Sequence, residues 1–374
     1  MEHSVSIGEP AAQTSYGINV VGVGRGRERF DIMTDLAQEA EAAGCSAIWA
    51  SELYSRSATV PMTLLAATTS HVQIGSNIAY GVGRSPLMWA AEARDLDELS
   101  GGRLILGLGN GTSTMMQNWH GVTGDAPAAR MAELITVLRK LWRLHEGPVD
   151  HDGRFYTVHI APGTDMSPPL RAHLPIWIAG VNPAMIRTAG RMADGLVGHP
   201  MFTTDYVEQV VRPELATAAS QVGRPVSDVT VMGIRICVLD DDEDAARRRA
   251  AFAIGQYAAS RVYDRLFDLH GWSAAQQKIR AAARDRDTEA LIRAVPDAAV
   301  DAISVACTPR DFPARLRTAS QGFDHVDTTA PPWGLSDTQT LHGTRQILAG
   351  LRALLGRSTT PDVKRKTERS EMVS

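Results

Sequence analysis

The chain has little cysteine and no long apolar run. Its 374 residues include three cysteines, Cys45, Cys237 and Cys307, which lie far apart and form no CxxC pair. A disulfide framework and a cysteine-rich zinc site are therefore poor fits, and a reducing cytosol is the simplest compartment. No run approaches the ~20 apolar residues of a membrane helix. The opening MEHSVSIGEPAAQTS also lacks the basic-then-apolar order of a signal peptide. We therefore expect a cytoplasmic protein.

An excess of basic residues is also missing. The chain has 38 lysines and arginines against 42 aspartates and glutamates, which gives a formal net charge of −4. Binding along a nucleic acid requires positive charges that neutralise phosphates, so we expect no nucleic acid as a partner. Because no apolar run is long enough for a membrane helix, we do not expect a membrane as a partner either.

The usual motifs of several enzyme classes are absent. The sequence has no GxxxxGK[ST], no GxSxG and no HExxH, which disfavours P-loop hydrolysis, α/β-hydrolase chemistry and zincin chemistry. The segment GVGRG at 22–26 begins like the dinucleotide fingerprint GxGxxG, but Arg27 stands where the last glycine is required. We predict no metal site.

The chain does have a repeated alternation of short apolar runs with longer segments of helical spacing. The runs are almost continuously apolar, which is typical of parallel strands covered by helices. The eight runs are residues 16–23, 45–50, 72–79, 103–109, 175–180, 195–199, 229–239 and 324–328. Eight strand–helix units in about 340 residues fit an α/β protein with a (β/α)8 TIM barrel. Two doubly wound sheets are the alternative, but no linker stands at mid-chain.

We expect one barrel domain over residues 15–356, with a helix-rich insertion at 240–300 between the seventh and eighth strands. Residues 1–14 and 357–374 are polar or charged with almost nothing apolar to bury, and we expect flexible tails there. Among the helices, the segment at 85–101 has the clearest ends. Ser85-Pro86 fits an N-cap followed by proline at the first helical position, and glycine follows the last helical residue.

Ligands of such barrels bind at the carboxyl ends of the strands. This rule selects residues 22–27, 51–54, 77–84, 107–114, 180–183, 199–201, 235–237 and 328–333. One of these segments also has the pattern of an anion site. Gly180 ends a strand, and Asn182-Pro183 fits the start of a helix. Free amides of Gly180, Val181 and Asn182 would suit a phosphate, although an ordinary capped helix is the alternative.

Six segments carry a family resemblance. They are AGCSAIWASE (43–52), VQIGSNIAYGVGRSPLMWAAEARDLDELSGGRLILGLGNG (72–111), AARMAELITVLRKLW (128–142), LPIWIAGVNPAMIRTAGRMADGLVGHP (174–200), ASRVYDRLFDLHGW (259–272) and TPRDFPARLRTASQGFDHV (308–326). In this order they resemble the bacterial luciferase-like superfamily, specifically its branch that uses the deazaflavin coenzyme F420. The segment at 259–272 is similar to an insertion in one actinobacterial subgroup of that branch.

The resemblance implies a TIM barrel, usually dimeric, that holds a flavin-type ring at the carboxyl ends of its strands. It implies a non-proline cis peptide behind the ring at Asn77-Ile78, and a cofactor phosphate on the backbone after the fifth strand, where His199 could also donate a hydrogen bond. The cofactor contacts that it implies are Ser51, Asn77, Ile78, Gly109, Thr112, Ala179, Gly180, Val181, Asn182 and His199.

The chain departs from the family pattern at two positions. Members that oxidise alcohols and sugar phosphates carry an Asp-His pair after the second strand, where this chain has Ser51-Glu52. Sugar-phosphate members also carry a glutamate where Thr112 stands here, so we do not expect sugar dehydrogenation. Glu52 could act as the acid or base, because a carboxyl in a barrel mouth can have its pKa raised by desolvation. The alternative for Glu52 is a structural carboxylate bonded to the strand or to an arginine.

The resemblance therefore predicts an F420-dependent oxidoreductase that moves a hydride between the deazaflavin and a small organic substrate. We expect reduction of an activated C=C, C=N or C=O bond, with Glu52 as the catalytic residue that protonates or orients the substrate. One alternative is an FMN-dependent luciferase-like monooxygenase that uses O2. The other is a flavin-binding barrel without catalysis.

Overall fold

A computed structural model describes residues 14–20, 22–331 and 333–356. Of the two predicted tails, residues 1–13 and 357–374 lie outside the described residues. Thr14 is the exception: its hydroxyl donates a hydrogen bond to the carbonyl of Phe323 at 3.0 Å, so this residue is fixed to the barrel.

Eight parallel strands close into a barrel. They are β1 (Ser15–Asn19), β2 (Ala47–Ala50), β3 (Gln73–Ser76), β5 (Leu104–Gly109), β8 (Ile176–Ala179), β9 (Gly195–Val197), β10 (Thr230–Leu239) and β12 (His325–Thr329). Each pairs with the next, and β12 pairs with β1 through Asp327 opposite Gly17. The predicted (β/α)8 barrel is confirmed, and the alternative of two separate doubly wound sheets is wrong because the sheet closes on itself.

The apolar runs form these strands because both of their faces are buried. One face packs against the surrounding helices and the other fills the barrel. Inside the barrel, Trp49 and Trp177 lie 5.3 Å apart between ring centroids, and Trp49 donates a hydrogen bond to His325 at 3.0 Å. Gly75 and Gly195 make room for them, since a Cβ atom there would lie 2.5 and 2.6 Å from the rings of Trp49 and Trp177.

The helices cover the outside of the barrel. They are α1 (Gly26–Ala43), α2 (Thr59–Thr68), α3 (Pro86–Ser100), α4 (Ser113–His120), α5 (Pro127–Leu141), α6 (Pro183–Met192), α7 (Thr204–Tyr206), α8 (Arg212–Ser220), α9 (Glu243–Ala258), α10 (Asp264–Leu269), α11 (Ser273–Asp285), α12 (Thr288–Ala294), α13 (Asp297–Ile303), α14 (Phe312–Ala319) and α15 (Asp337–Leu355). The predicted ends of α3 are confirmed: the Ser85 hydroxyl accepts from the Met88 amide, and Gly101 caps the helix in the left-handed region.

The predicted insertion lies between barrel strands β10 and β12 and contains α9 to α13. The apolar pattern missed the strand that follows it, β11 (Ser304–Cys307), which pairs with the outer half of β10. It also missed the short β4 (Ala79–Tyr80) and the hairpin of β6 (Val149–Asp152) and β7 (Thr157–Ile160). These strands are short, and β6 and β7 are largely polar, so hydrophobicity alone gave little signal for them.

Within the described ranges, no helix combines the length and apolar character needed to cross a membrane. The same residues contain no group of three or more His, Cys, Asp or Glu side chains that could hold a metal ion.

Candidate active site

Five of the predicted cofactor residues meet at one end of the barrel, which we call the mouth. Ser51 follows β2, Asn77 follows β3, Gly109 ends β5, Ala179 ends β8 and His199 lies two residues beyond β9. Because all eight strands are parallel, their carboxyl ends open at the same side. The fold therefore gathers residues that are up to 148 positions apart in the sequence.

Three of the predicted residues form an apolar floor at the mouth. The Asn77-Ile78 peptide bond is cis, as the resemblance implied. The Ile78 side chain turns towards Gly109, where a Cβ atom would lie 2.9 Å from Ile78 Cδ1 and 3.2 Å from Ala179 Cβ. The absence of a side chain at Gly109 thus lets Ile78 and Ala179 approach each other. Both pack on the tryptophan layer below, which leaves a surface suited to a flat ring.

A chain of polar groups crosses the same end of the barrel. Asn19 donates to the Ser51 hydroxyl at 2.9 Å, and that hydroxyl donates to the Asn77 carbonyl at 2.7 Å. The Asn77 side-chain amide donates to Asp327 at 2.8 Å. Ser51 and Asn77 were expected here, whereas Asn19 and Asp327 were not. One feature of the sequence could have identified Asp327. It is a carboxyl inside the eighth predicted strand, one position before the strand end selected at residues 328–333.

Glu52 is engaged at both of its carboxylate oxygens. Its side chain is 9% exposed and forms an ion pair with Arg84 at 3.0 Å. The backbone amide of Tyr80 donates to the same carboxylate at 2.8 Å, and the Glu52 amide donates to the carbonyl of Ile78 at 3.0 Å. These contacts match the structural alternative for Glu52, because they tie the segment after β2 to the segment after β3.

Arg84 extends this network. Its guanidinium also pairs with Glu92 at 3.0 Å and lies 4.4 Å from the centre of the Trp89 ring. Burial raises the pKa of Glu92, and the charge of Arg84 opposes that rise. Two carboxylates thus share one cation, so Arg84 has no unpaired charge to offer an anionic ligand.

The predicted anion site is present in part. Asn182 is the N-cap of α6 and Pro183 is its first residue, but the Asn182 side chain makes no capping hydrogen bond. The expectation that the Gly180 amide is free is wrong, because it donates to the carbonyl of Val197 at 3.3 Å. Among the described residues, the amides of Val181 and Asn182 have no hydrogen-bond acceptor. These two amides remain available to a phosphate.

His199 differs from its predicted role as a direct phosphate donor. Its Nδ1 accepts from the Met201 amide at 3.2 Å, so the proton lies on Nε2, which is 2.7 Å from the Tyr263 hydroxyl. Loss of solvent lowers the pKa of His199 to about 3, so the ring is neutral. Both ring nitrogens are therefore occupied. With His199 donating to it, the Tyr263 hydroxyl keeps its own proton for another acceptor.

The insertion supplies an aromatic group around His199. Tyr263, and Tyr257 at the end of α9, lie 4.7 Å from the His199 ring between centroids, and Trp333 lies 4.7 Å from Tyr257. Burial raises the pKa of Tyr257 to about 12 and also raises the pKa of Tyr263, so both phenols stay protonated at neutral pH. Sequence reasoning did not assign the tyrosines, because only the folded insertion brings them to the mouth.

A second aromatic group lies across the mouth, near the ends of β2 and β4. Trp119 packs edge-to-face on Tyr54 and Tyr80, with centroids 5.5 and 6.1 Å apart. Tyr54 is 80% exposed and Trp119 is 45% exposed, so both present apolar surface outwards.

Thr112, one of the predicted cofactor contacts, is the N-cap of α4. Its hydroxyl accepts a hydrogen bond from the Met115 amide at 3.2 Å, and the residue is exposed.

The profile of the luciferase-like monooxygenases matches residues 5–325. The chain is 29% identical over 223 residues to a Mycobacterium tuberculosis protein whose name proposes coenzyme F420-dependent oxidoreductase activity. That alignment covers 57% of this chain and 63% of the relative.

Two solved structures share the fold. The coenzyme F420-dependent tetrahydromethanopterin reductase of Methanopyrus kandleri superposes with a TM-score of 0.72 at 23% identity, over 91% of this chain and 98% of that one. The oxygenating constituent of 3,6-diketocamphane monooxygenase of Pseudomonas putida, in complex with FMN, superposes with a TM-score of 0.65 at 15% identity, over 91% and 98%. At these identities the likeness establishes the barrel alone.

Proposed function

Because the chain belongs to the luciferase-like monooxygenase family, we propose that it is an oxidoreductase that takes coenzyme F420. It would transfer a hydride between the deazaflavin and a small organic substrate, acting as a reductase. The observation that carries this proposal is the apolar floor of Ile78, Gly109 and Ala179 beside the two free amides at the start of α6. The F420-dependent name of a relative with 29% identity supports the choice of cofactor.

The described residues fit a ring with a phosphate-bearing tail. Ile78 and Ala179 would lie against the ring, and the amides of Val181 and Asn182 would bind phosphate at the positive end of α6. Continuing the β8–β9 register, in which Ala179 faces Val197, sets Val181 opposite His199. The deazaflavin supplies the hydride chemistry when bound. The chain positions it and excludes water.

For Glu52 we favour the structural alternative over the predicted roles of protonating or orienting the substrate. Its carboxylate holds Arg84 and the Tyr80 amide, so it fixes the segments beside the floor. Ser51, which is exposed at the mouth and already donates to the Asn77 carbonyl, keeps a lone pair for a substrate or water. Tyr54 and Trp119 give this side of the mouth an apolar wall, and we infer a substrate with apolar surface.

An FMN-dependent monooxygenase that uses O2 is the second candidate. The FMN complex of the Pseudomonas putida enzyme, which has the same barrel, favours it, since backbone amides can bind the phosphate of either cofactor. A flavin-binding barrel without catalysis is the third, motivated by Ser51-Glu52 in place of the family's Asp-His pair.

A titration with F420 and with FMN separates these candidates. We expect the purified chain to bind F420 at least ten-fold more tightly than FMN. The binding of F420 is measured by the quenching of its fluorescence. Candidate substrates are then screened by the reoxidation of reduced F420. Preferential FMN binding with O2 consumption would support the monooxygenase. Cofactor binding without turnover across a broad substrate panel would support the inert barrel.

The insertion should contribute to cofactor affinity through Tyr263. Its hydroxyl proton is free for a phosphate or another acceptor of the cofactor. Tyr263→Phe should therefore weaken F420 binding about five-fold, because one neutral hydrogen bond contributes ~1 kcal/mol to the binding free energy. Tyr16→Phe is the matched control. Tyr16 is buried near the amino end of β1, at the opposite end of the barrel from the mouth, so removal of its hydroxyl should leave the F420 dissociation constant at the wild-type value. Equal affinities for wild type and Tyr263→Phe would contradict this role.

We also propose a homodimer in the cytoplasm. Apolar side chains are exposed on one side of the barrel, on and before α2 and at the start of α3: Leu53, Val60, Leu87 and Met88 are 45–55% exposed. A second copy would cover such a surface. The three free cysteines are buried thiols, which suits a reducing compartment.

A further inference from the structure

The polar chain at the mouth ends on a carboxyl that the proposed reaction does not use. Asp327 lies on β12, opposite Gly17 on one side and Ile234 on the other. Its partner Asn77 follows β3, so this hydrogen bond passes across the inward faces of the intervening strands β1 and β2. The Asp327 side chain therefore lies inside the barrel.

Asp327 is fully buried and only partly satisfied. Its Oδ2 accepts from Asn77, while its Oδ1 is buried and has no hydrogen-bond partner among the described residues. Arg235, on the neighbouring strand, does not pair with it: that guanidinium donates to the carbonyls of Ala319 and Phe202. Burial raises the pKa of Asp327 well above its ordinary value, which favours the uncharged carboxyl.

Asn77 has three hydrogen bonds that come from two strands. Its backbone amide donates to Ala50 at 2.8 Å and its carbonyl accepts from Ser51, both at the end of β2, while its side chain donates to Asp327 on β12. The contact with β12 anchors Asn77 from the second strand, because an oxygen on Asp327 requires the Nδ2 side of the Asn77 amide to face it. Asn77 is also joined through its peptide bond to Ile78 of the apolar floor.

We propose that Asp327 is a positioning residue for the cofactor: it holds the Asn77 side chain from inside the barrel and thereby fixes Ile78 against Gly109 and Ala179, where the ring lies. This inference rests on the proposed function, because it assigns the floor to a deazaflavin ring. It gives Asp327 no contact with the substrate and no proton to transfer. What the residue must supply is an acceptor oxygen at the Asn77 amide.

The requirement for an acceptor, and not for a charge, determines the variants. Asp327→Asn keeps an acceptor oxygen at the same place and carries no charge. Asp327→Ala removes the acceptor, and Asp327→Leu removes it while filling the space. Asp324→Ala is the control: Asp324 precedes β12, and its carboxylate binds the Val231 amide and Arg212, away from the mouth.

The measurements are the F420 dissociation constant and the absorption spectrum of bound F420, on variants whose folding is checked by circular dichroism. We expect Asp327→Ala and Asp327→Leu to bind at least ten-fold more weakly than wild type, with a spectrum closer to that of free F420. Asp327→Asn should stay within three-fold of wild type, and so should Asp324→Ala. If Asp327→Ala does not fold, the comparison of Asp327→Leu with Asp327→Asn provides the test.

Two results would overturn the inference. Wild-type affinity and spectrum in the folded alanine or leucine variant would show that Asp327 does not position the floor. Binding by Asp327→Asn as weak as that of Asp327→Ala would show that the carboxyl itself is required. A wild-type chain that binds neither F420 nor FMN would instead contradict the proposed function, and the inference with it, so the two failures are distinguishable.

Discussion

The free energy of unfolding should fall by about 5 kcal/mol between pH 6.5 and pH 3 through His325 alone. This residue is 3% exposed, and burial lowers its pKa to about 3. Trp49 donates to its Nε2, so the proton lies on Nδ1, which is 2.8 Å from the Ser15 hydroxyl. A second proton on the ring would make Nε2 an N–H group that faces the N–H group of Trp49. The folded state therefore disfavours protonation of His325.

The direction follows from proton uptake. Below pH 6.5 the unfolded chain protonates His325 and the folded chain does not, so the contribution is fully present above pH 6.5 and is lost as the pH falls towards 3. The expected slope is about 1.4 kcal/mol per pH unit. Asp327 acts in the opposite direction, because its raised pKa means that the folded state keeps a proton which the unfolded chain releases. The contribution of His325 is therefore read from a variant, not from the wild-type curve.

His325→Gln isolates this contribution. Glutamine can still accept from Trp49 but does not titrate, so the dependence of stability on pH should become weaker by about 1.4 kcal/mol per pH unit between pH 6 and 4.5. Urea unfolding at four pH values measures the slope. His342→Gln, at an exposed histidine of α15, is the matched control and should keep the wild-type slope. An unchanged slope in His325→Gln would show that His325 is protonated in the folded state.

The barrel could be predicted because its signal is local. Most barrel strands are buried on both faces and have nearly continuous apolar sequences. The ends of helices are likewise encoded by a few neighbouring residues, such as Ser85 and Gly101 at the ends of α3. Strand β11 escaped prediction because a run of only three apolar residues after a helix fits a continuation of the helix equally well. What makes Ser304–Cys307 a strand is its pairing with β10.

The candidate site was predictable at the level of strand ends, but not at the level of hydrogen bonds. Position at a carboxyl end selected Ser51, Asn77 and Gly109. It could not show that Val197 would occupy the Gly180 amide, or that Tyr263 would reach His199 from 64 residues away. The first partner depends on the register between β8 and β9, and the second on how the insertion folds back over the barrel. No short pattern in the sequence encodes either of them.

Replacing Glu52 by alanine should lower the free energy of unfolding by about 3–5 kcal/mol, which is the usual cost of removing one partner from a buried ion pair. Glu52 and Arg84 are 9% and 18% exposed. Without Glu52, the Arg84 guanidinium keeps one carboxylate partner, Glu92, in place of two, and the Tyr80 amide loses its acceptor. Glu146→Ala is the matched control, because Glu146 pairs with Arg143 on the surface at 2.6 Å, and its removal should leave the urea midpoint unchanged.

Glutamine at position 52 tests the role of Glu52 in turnover. Glu52→Gln keeps the volume and an oxygen for the Tyr80 amide, so about 1–3 kcal/mol of stability should be lost. Because both native oxygens are already engaged, we expect the folded variant to reoxidise reduced F420 within ten-fold of the wild-type rate. A general acid would behave differently, since its loss typically slows turnover by 10²–10⁴-fold. A hundred-fold fall in kcat, with unchanged F420 affinity, would therefore return Glu52 to the role of proton donor. Wild-type stability in both variants at position 52 would show that the Arg84 pair does not hold the mouth together.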